Sequence, residues 1–177
     1  MRIISGKFKR RVISPPINLP VRPTTDMAKE SLFNILSNYF DFDNKTVLDL
    51  FAGTGNISYE FVSRGCSSVT AVDKDFGCIK FINQTIQKLK MTELKTVKLD
   101  VFHFITTTNN KYNIIFADPP YQLTNITEIT KLIFEHELLN PDGWLIVEHP
   151  AEISFTESAH FYEHRKYGRV NFSFFHL

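Results

Sequence analysis

Four aspartates stand where apolar runs give out: Asp49 inside "LDLF", Asp73 after "SVTAV", Asp100 after "KTVKL" and Asp118 after "YNIIFA". One such aspartate is an ordinary helix cap. Four in register at strand ends suit a cationic or hydroxyl-rich ligand, because carboxylates accept hydrogen bonds and balance positive charge. The first acid leads into "DLFAGTGNIS", where Gly53 and Gly55 let backbone approach a ligand that a Cβ would hold off. The dinucleotide fingerprint asks for G-x-G-x-x-G, and Ser58 occupies its third position. Asp73, eighteen residues past Gly55, suits the ribose hydroxyls of any nucleoside cofactor. The loop therefore supports such a cofactor without choosing one. The last acid opens "DPPY", which taken alone reads as a strand terminator followed by a loop.

Alternating elements position these residues. Thr24 or Thr25 caps a first helix, with Asp26 in its first turn and Ala28, Leu32, Ile35, Leu36 and Tyr39 at helical spacing. Strands are then expected at 46–51, 68–73, 95–100, 112–118 and 144–149. Helices run from the glycine loop to about Arg64, over about 75–90 and near 125–137, with a turn at Pro141-Asp142-Gly143. Strands alternating with helices make a doubly wound, mostly parallel α/β sheet. The closing "AHFYEHRKYGRVNFSFFHL" has no helix between its aromatic halves and reads as an antiparallel hairpin turning near Gly168, completing seven strands. Ligands on such sheets bind outside the carboxyl ends of the strands.

Composition sets the class. The 177 residues are 43% hydrophobic and 22% charged, the balance of one globular domain. No apolar run reaches the roughly 18 residues of a membrane span, and "MRIISGKFKRR" has no apolar stretch of a secretory signal, so a cytoplasmic protein is expected. Cys66 and Cys78 read as free buried thiols, and no metal site is expected. The net charge of +1 hides an asymmetry. Arg2, Lys7, Lys9, Arg10, Arg11 and Arg22 lie in the first 25 residues with no acid, leaving 14 basic against 19 acidic side chains in the rest. A basic arm (1–25) on an acidic domain (26–177) points to a polyanionic partner. Ile3, Ile4, Phe8, Val12 and Ile13 among those charges suggest a short hairpin turning near Gly6.

D-L-F-A-G-T-G, an acid ending the next strand and D-P-P-Y ending the fourth together resemble the class I, Rossmann-like S-adenosylmethionine-dependent methyltransferases that act on amino groups. "RIISGKFKRRVI", "RPTTDMAKESLFNIL", "DLFAGTGNISYEFVSRG", "FADPPY" and the late "GRVNFSFF" extend the likeness over nearly the whole chain. They resemble the RsmD family, which methylates guanine N2 of small-subunit (16S) ribosomal RNA. That resemblance implies S-adenosyl-L-methionine as cofactor and ribosomal RNA, or the assembling small subunit, as partner of a monomeric enzyme.

Carried over residue by residue, Asp49, Phe51, Ala52, Gly53 and Gly55 line the methionine end of the cofactor. Asp73 holds the ribose, with Lys74 beside it, and Asp100 and Val101 meet the adenine. Asp118, Pro119, Pro120 and Tyr121 take the target base, while Arg2, Lys7, Lys9, Arg10, Arg11 and Arg22 meet RNA. An aromatic amine is a poor nucleophile because its lone pair is delocalised. The Asp118 carboxylate and the Pro119 carbonyl can accept both of its hydrogens, proline offers no competing N–H, and Tyr121 can stack on the ring. Thr24, Thr25 and Asn34 are candidates to close over the site, and Glu148 and His149 read as structural.

Three other readings compete. A DNA or RNA adenine-N6 methyltransferase shares D-P-P-Y, but the DNA enzymes usually carry a recognition domain. The 22 residues between Tyr121 and Trp144 leave no room for one. An NAD-binding oxidoreductase is disfavoured by Ser58 and does not explain D-P-P-Y, and a non-catalytic RNA-binding module that keeps the cofactor site does not explain the intact Asp118 with the intact glycine loop.

Overall fold

The computed structural model describes residues 1–17, 19 and 25–177. Helix α1 (Asp26–Tyr39) begins at Thr25, whose hydroxyl accepts from the Ala28 N–H at 3.2 Å. Alternation then runs through β1 (Thr46–Leu50), α2 (Asn56–Ser63), β2 (Ser68–Asp73), α3 (Phe76–Leu89) and β3 (Leu94–Lys98). It continues through α4 (Val101–Thr107), β4 (Tyr112–Ala117), α5 (Ile126–Glu135) and β5 (Leu139–His149) to the hairpin β6 (Phe161–Tyr167) and β7 (Val170–His176). The seven strands lie in the order β3-β2-β1-β4-β5-β7-β6. β7 is antiparallel to β5 and β6, and the other pairs are parallel. The winding reverses between β1 and β4, which is where open α/β sheets bind ligands.

Side-chain alternation along the buried strands divides the core between two faces. Val47, Val69, Ile114, Phe116 and Ile146 face α1, α2 and α3, meeting Leu32, Phe33, Phe61 and Ile82. Leu48, Leu50, Val72, Ile115 and Val147 face α4 and α5, meeting Phe104, Ile105, Ile129 and Ile133.

Three details differ from the sequence expectation. The third strand stops at Lys98 instead of reaching residue 100, and Asp100 caps the unexpected helix α4, its Oδ1 accepting from the Phe102 and His103 N–H groups. At seven residues that helix is too short for its periodicity to stand out. The Pro141-Asp142-Gly143 segment interrupts a longer β5 without preceding it. Tyr112 pairs with Leu139 and Ile114 with Trp144, so the residues between Leu139 and Trp144 form a bulge with Asp142 at φ +59.

The arm returns on itself through an isolated antiparallel bridge, Arg2 to Val12, with Ile3 N donating to Arg11 O at 3.0 Å. Its tip presses so closely on the end of α2 that a Cβ on Gly6 would lie 1.7 Å from the Ser63 carbonyl oxygen. Gly6 also has φ +78, so only glycine fits there. Ile3 and Ile13 enter the core. Beneath them the fully buried Glu60 of α2 accepts from the Ile4 and Ser5 N–H groups at 2.8 and 3.0 Å and from Arg64 Nε at 2.9 Å. Buried Lys29 lies 3.7 Å from the same carboxylate, and its ammonium donates to Arg2 O and Asn56 Oδ1 at 2.6 and 2.8 Å. Glu60→Ala leaves two arm amides without their acceptor and the buried Lys29 ammonium without its counter-charge. Breaking a buried pair on one side costs about 3–5 kcal/mol. Urea unfolding should show a loss of that order, and trypsin should cleave at Lys7–Arg11 earlier than in the parent protein.

Candidate active site

Register decides how the acids meet. Asp49 pairs with Ala71 and Phe116, and Phe116 pairs with Ile146. Two residues on from these partners stand Asp73, Asp118 and Glu148, all at one level on three strands. Asp49 lies two residues deeper. Each keeps the parity of the residues that face α1, α2 and α3, so the four carboxylates belong to one face of the sheet. Asp118 and Glu148 extend neighbouring strands, so their Cα atoms are roughly 5 Å apart. Asp73 lies one strand further off, roughly 10 Å from Asp118. Asp100 does not share this level: it stands two residues beyond Lys98, the partner of Asp73, and is exposed as the cap of α4.

The glycine loop turns sharply above Asp49, with left-handed backbone at Phe51, Gly53 and Gly55. Ala52 N donates to Val72 O, and Gly53 N donates to Asp73 Oδ2 at 2.8 Å, which ties the loop to the end of β2. The second oxygen of Asp73 accepts from Asp75 N at 2.8 Å. A Cβ on Gly55 would lie 2.8 Å from the Tyr59 ring and 3.0 Å from Ile82. Gly55 therefore gives the protein's own side chains their close approach, where the sequence suggested a ligand. Lys74 is exposed beside Asp73, and Val101 is buried as the first residue of α4.

Asp49 is 2% exposed and is held by a hydrogen bond from the Ser58 hydroxyl. Burial raises its carboxyl to about 7, and the Ser58 bond offsets part of that rise. The residue at the third fingerprint position is thus the partner of the strand's buried acid. Asp118 is half-buried at the end of β4, and its N–H donates to Leu50 O at 3.3 Å. Pro119 is buried and Pro120 exposed, and Leu123 N donating to Pro120 O closes a turn that carries Tyr121 outward. The Tyr121 hydroxyl donates to Glu148 Oε1 at 3.2 Å. Burial also pushes Glu148 up to about 7, with the Tyr121 bond acting against it. Sequence reasoning set Glu148 aside as structural. The signal that could have found it is the one used for the other acids, a carboxylate at the end of an apolar strand.

His149 does play a packing role. It is buried against Phe155, with Nδ1 2.9 Å from Pro150 O and Nε2 2.8 Å from Ser173 Oγ. Of the arm cations, Arg2 pairs with Asp26 at 3.6 Å and Lys7 with Glu93. Lys9, Arg10 and Arg11 are exposed and have no acidic partner among the described residues. Arg22 and Thr24 lie outside the described residues. Asn34 does not reach the strand ends. It lines a cleft of about 400 Å³ between the arm and the helices, with Lys9, Arg10, Glu30 and Arg64. Among the described residues no group of His, Cys, Asp or Glu is placed to hold a metal ion, and no helix is long and apolar enough to cross a membrane. Cys66 and Cys78 are free and buried.

The sequence profile of a family described as conserved hypothetical protein 95 matches residues 1–176. YlbH of Bacillus subtilis is 35% identical over 162 residues, covering 89% of this chain and 87% of that one. A ribosomal RNA small subunit methyltransferase D of Buchnera aphidicola (strain Bp) is 32% identical over 149 residues, covering 84% and 75%. The solved structure of Escherichia coli yhhF superposes with a TM-score of 0.88 at 26% identity, covering 99% of this chain and 97% of that one. The sheet is the α/β fold of class I methyltransferases.

Asp49 yields a measurable pH dependence. Its carboxyl stands higher in the fold, about 7, than its ordinary value of 3.8, so the fold favours the neutral form. That contribution to stability is complete below about pH 4 and is lost as pH rises toward 7, at about 1.4 kcal/mol for each pK unit separating the two states. Asp49→Asn should gain stability relative to the parent between pH 4 and pH 8 in urea unfolding. A constant difference across that range would mean that Asp49 stays ionised in the fold.

Proposed function

The chain belongs to the RsmD family, and on that premise we propose that it transfers a methyl group from S-adenosyl-L-methionine to the exocyclic N2 amine of a guanine in small-subunit ribosomal RNA. The observation that carries this reading is Asp118 at the mouth of the switch point. It stands level with Asp73 across β1, and Pro119, Pro120 and Tyr121 continue from it.

The residues suit such a cofactor by the chemistry of their donor set. Each Asp73 oxygen accepts one backbone N–H and keeps lone pairs for a ribose hydroxyl. Asp49, Phe51, Ala52 and Gly53 line the methionine end, Gly55 holds the turn of that loop against Tyr59, and Lys74 flanks the ribose. Asp100 has Oδ2 left for the adenine amine beside Val101. When bound, S-adenosylmethionine supplies a sulfonium methyl as electrophile. Asp118 and the Pro119 carbonyl accept the amine hydrogens and hold the lone pair toward that methyl. Pro120 shapes the corner, and Tyr121 stacks on the base. Positioning and fixed electrostatics are the main contributions. Ser58, bound to Asp49 where a dinucleotide fold would place its third glycine, counts against the oxidoreductase reading.

The arm of residues 1–25 serves the domain of residues 26–177 as its RNA-contacting part. Its residues 1–13 lie along α2, with Met1 near Thr54 of the glycine loop and the tip near Ser63. Lys9, Arg10 and Arg11 therefore stand roughly 12 Å down the helix from that loop, counting 1.5 Å per residue. They meet phosphates away from the target base, with Arg2, Lys7 and Arg22 adding to the field. The substrate is ribosomal RNA, free or in the assembling small subunit, and the enzyme works in the cytoplasm as a monomer.

Labelled S-adenosylmethionine with undermethylated small-subunit particles, followed by mass-spectrometric mapping, tests the reading. A labelled guanine N2 supports it, and a labelled adenine overturns it. Asp118→Ala should abolish transfer while S-adenosylhomocysteine affinity, measured by calorimetry, stays within a few fold. Near-normal turnover in that variant would remove Asp118 from the chemistry. Each phosphate neutralised on a single strand adds about 0.7 to the slope of log affinity against log salt. Lys9 and Arg10 sit in the turn and Arg11 begins the returning limb beside Ile3, all three exposed, so replacing them by Gln should flatten the slope by about one to two units. Equal slopes would reduce the arm to a structural brace.

A further inference from the structure

Glu148 is 6% exposed, and its two oxygens differ. Oε1 accepts from Tyr121, whereas Oε2 is buried with no hydrogen-bond partner among the described residues. A buried acceptor left empty is costly, and native proteins rarely keep one without a use. This one lies at the end of β5, level with Asp118 and on the same face of the sheet. Its only described hydrogen bond is to the aromatic residue of D-P-P-Y, itself 48% exposed on a surface turn. Tyr121 thus occupies one oxygen of the carboxylate and leaves the other for a donor.

Deepening the guanine-N2 reading, on which it rests, we propose that Glu148 is the residue that reads the target as guanine by accepting its N1–H. Beside its N2 amine, guanine presents N1–H as a second donor. Two carboxylates on adjacent strands, Asp118 for the amine and Glu148 for N1–H, match that pair of donors. Adenine presents an N1 lone pair at the corresponding place, which a carboxylate repels and leaves unpaired. Sites built around a buried polar group reject an analogue lacking its partner by large factors. D-P-P-Y alone cannot tell the two purines apart, because it addresses only an exocyclic amine. Burial raises the Glu148 carboxyl, and an N1–H placed on it would favour the carboxylate form that accepts.

The test uses 2-aminopurine, which keeps the exocyclic amine of guanine but has a lone pair at N1. Ribosomal RNA is made without modification, and the acceptor guanosine found by the labelling experiment is replaced by 2-aminopurine. The wild-type protein should favour guanine at least tenfold in kcat/KM. Glu148→Gln should bring the two substrates within about twofold, because an amide can donate to one N1 and accept from the other. S-adenosylhomocysteine affinity should be unchanged in the variant. Equal use of the two substrates by the wild-type protein overturns the proposal without any variant, and so does a preference that Glu148→Gln leaves intact. These failures would leave guanine methylation standing. Labelling of a base other than guanine would remove the functional reading itself.

Discussion

Parallel register is the constraint on which the site depends. β2, β1, β4 and β5 run in one direction with uninterrupted pairing over their last residues, so side chains of the same parity line up across four strands. Asp73, Asp118 and Glu148 reach one level on one face for that reason alone, and Asp49 sits two residues beneath them. A one-residue slip of β4 would send Asp118 toward α4 and α5 and place Ala117 over the glycine loop. The bulge in β5 absorbs its irregularity at the opposite end of the strand, before Trp144, and leaves the register beside β4 intact.

A second constraint joins the arm to this frame. Glu60 is completely buried, yet it meets two arm amides and the cations of Lys29 and Arg64, and Arg64 also lies 4.7 Å over the Phe33 ring. Burial lowers the pKa of Lys29, and Glu60 opposes that shift. The cluster fixes the path of an arm that has one β-bridge of its own among the described residues. Arg2, whose carbonyl accepts from Lys29, is drawn to Asp26, which leaves the exposed turn at Lys9–Arg11 as the open face of positive charge.

Asp49 and Glu148 show one device used twice. Each is a buried strand carboxylate with one hydroxyl partner, Ser58 or Tyr121, and each is raised to about 7 by burial. Their partners differ in exposure. Ser58 is fully buried inside α2, whereas Tyr121 is 48% exposed on a surface turn. Holding such groups on a rigid sheet costs stability, and it keeps polar atoms where a ligand can use them.

The sequence by itself determined the α/β class, the seven strands, the closing hairpin, the glycine loop and the D-P-P-Y corner. These are set by apolar runs, turn residues and local spacing, which a chain displays without its tertiary partners. It also marked Asp73 and Asp118, because an acid after an apolar run is a local feature. Helix α4 escaped because seven residues carry too little periodicity, and the true extent of β5 escaped because Pro141-Asp142-Gly143 looks the same in a bulge as in a turn. Only the tertiary structure decided which acids meet. Asp100 stands beyond that level as the cap of α4, and Glu148, 30 residues beyond Asp118, joins it from the next strand. Sequence patterns record what each strand end carries, whereas register across non-consecutive strands, through long-range hydrogen bonding, settles which of those ends share a level and a face.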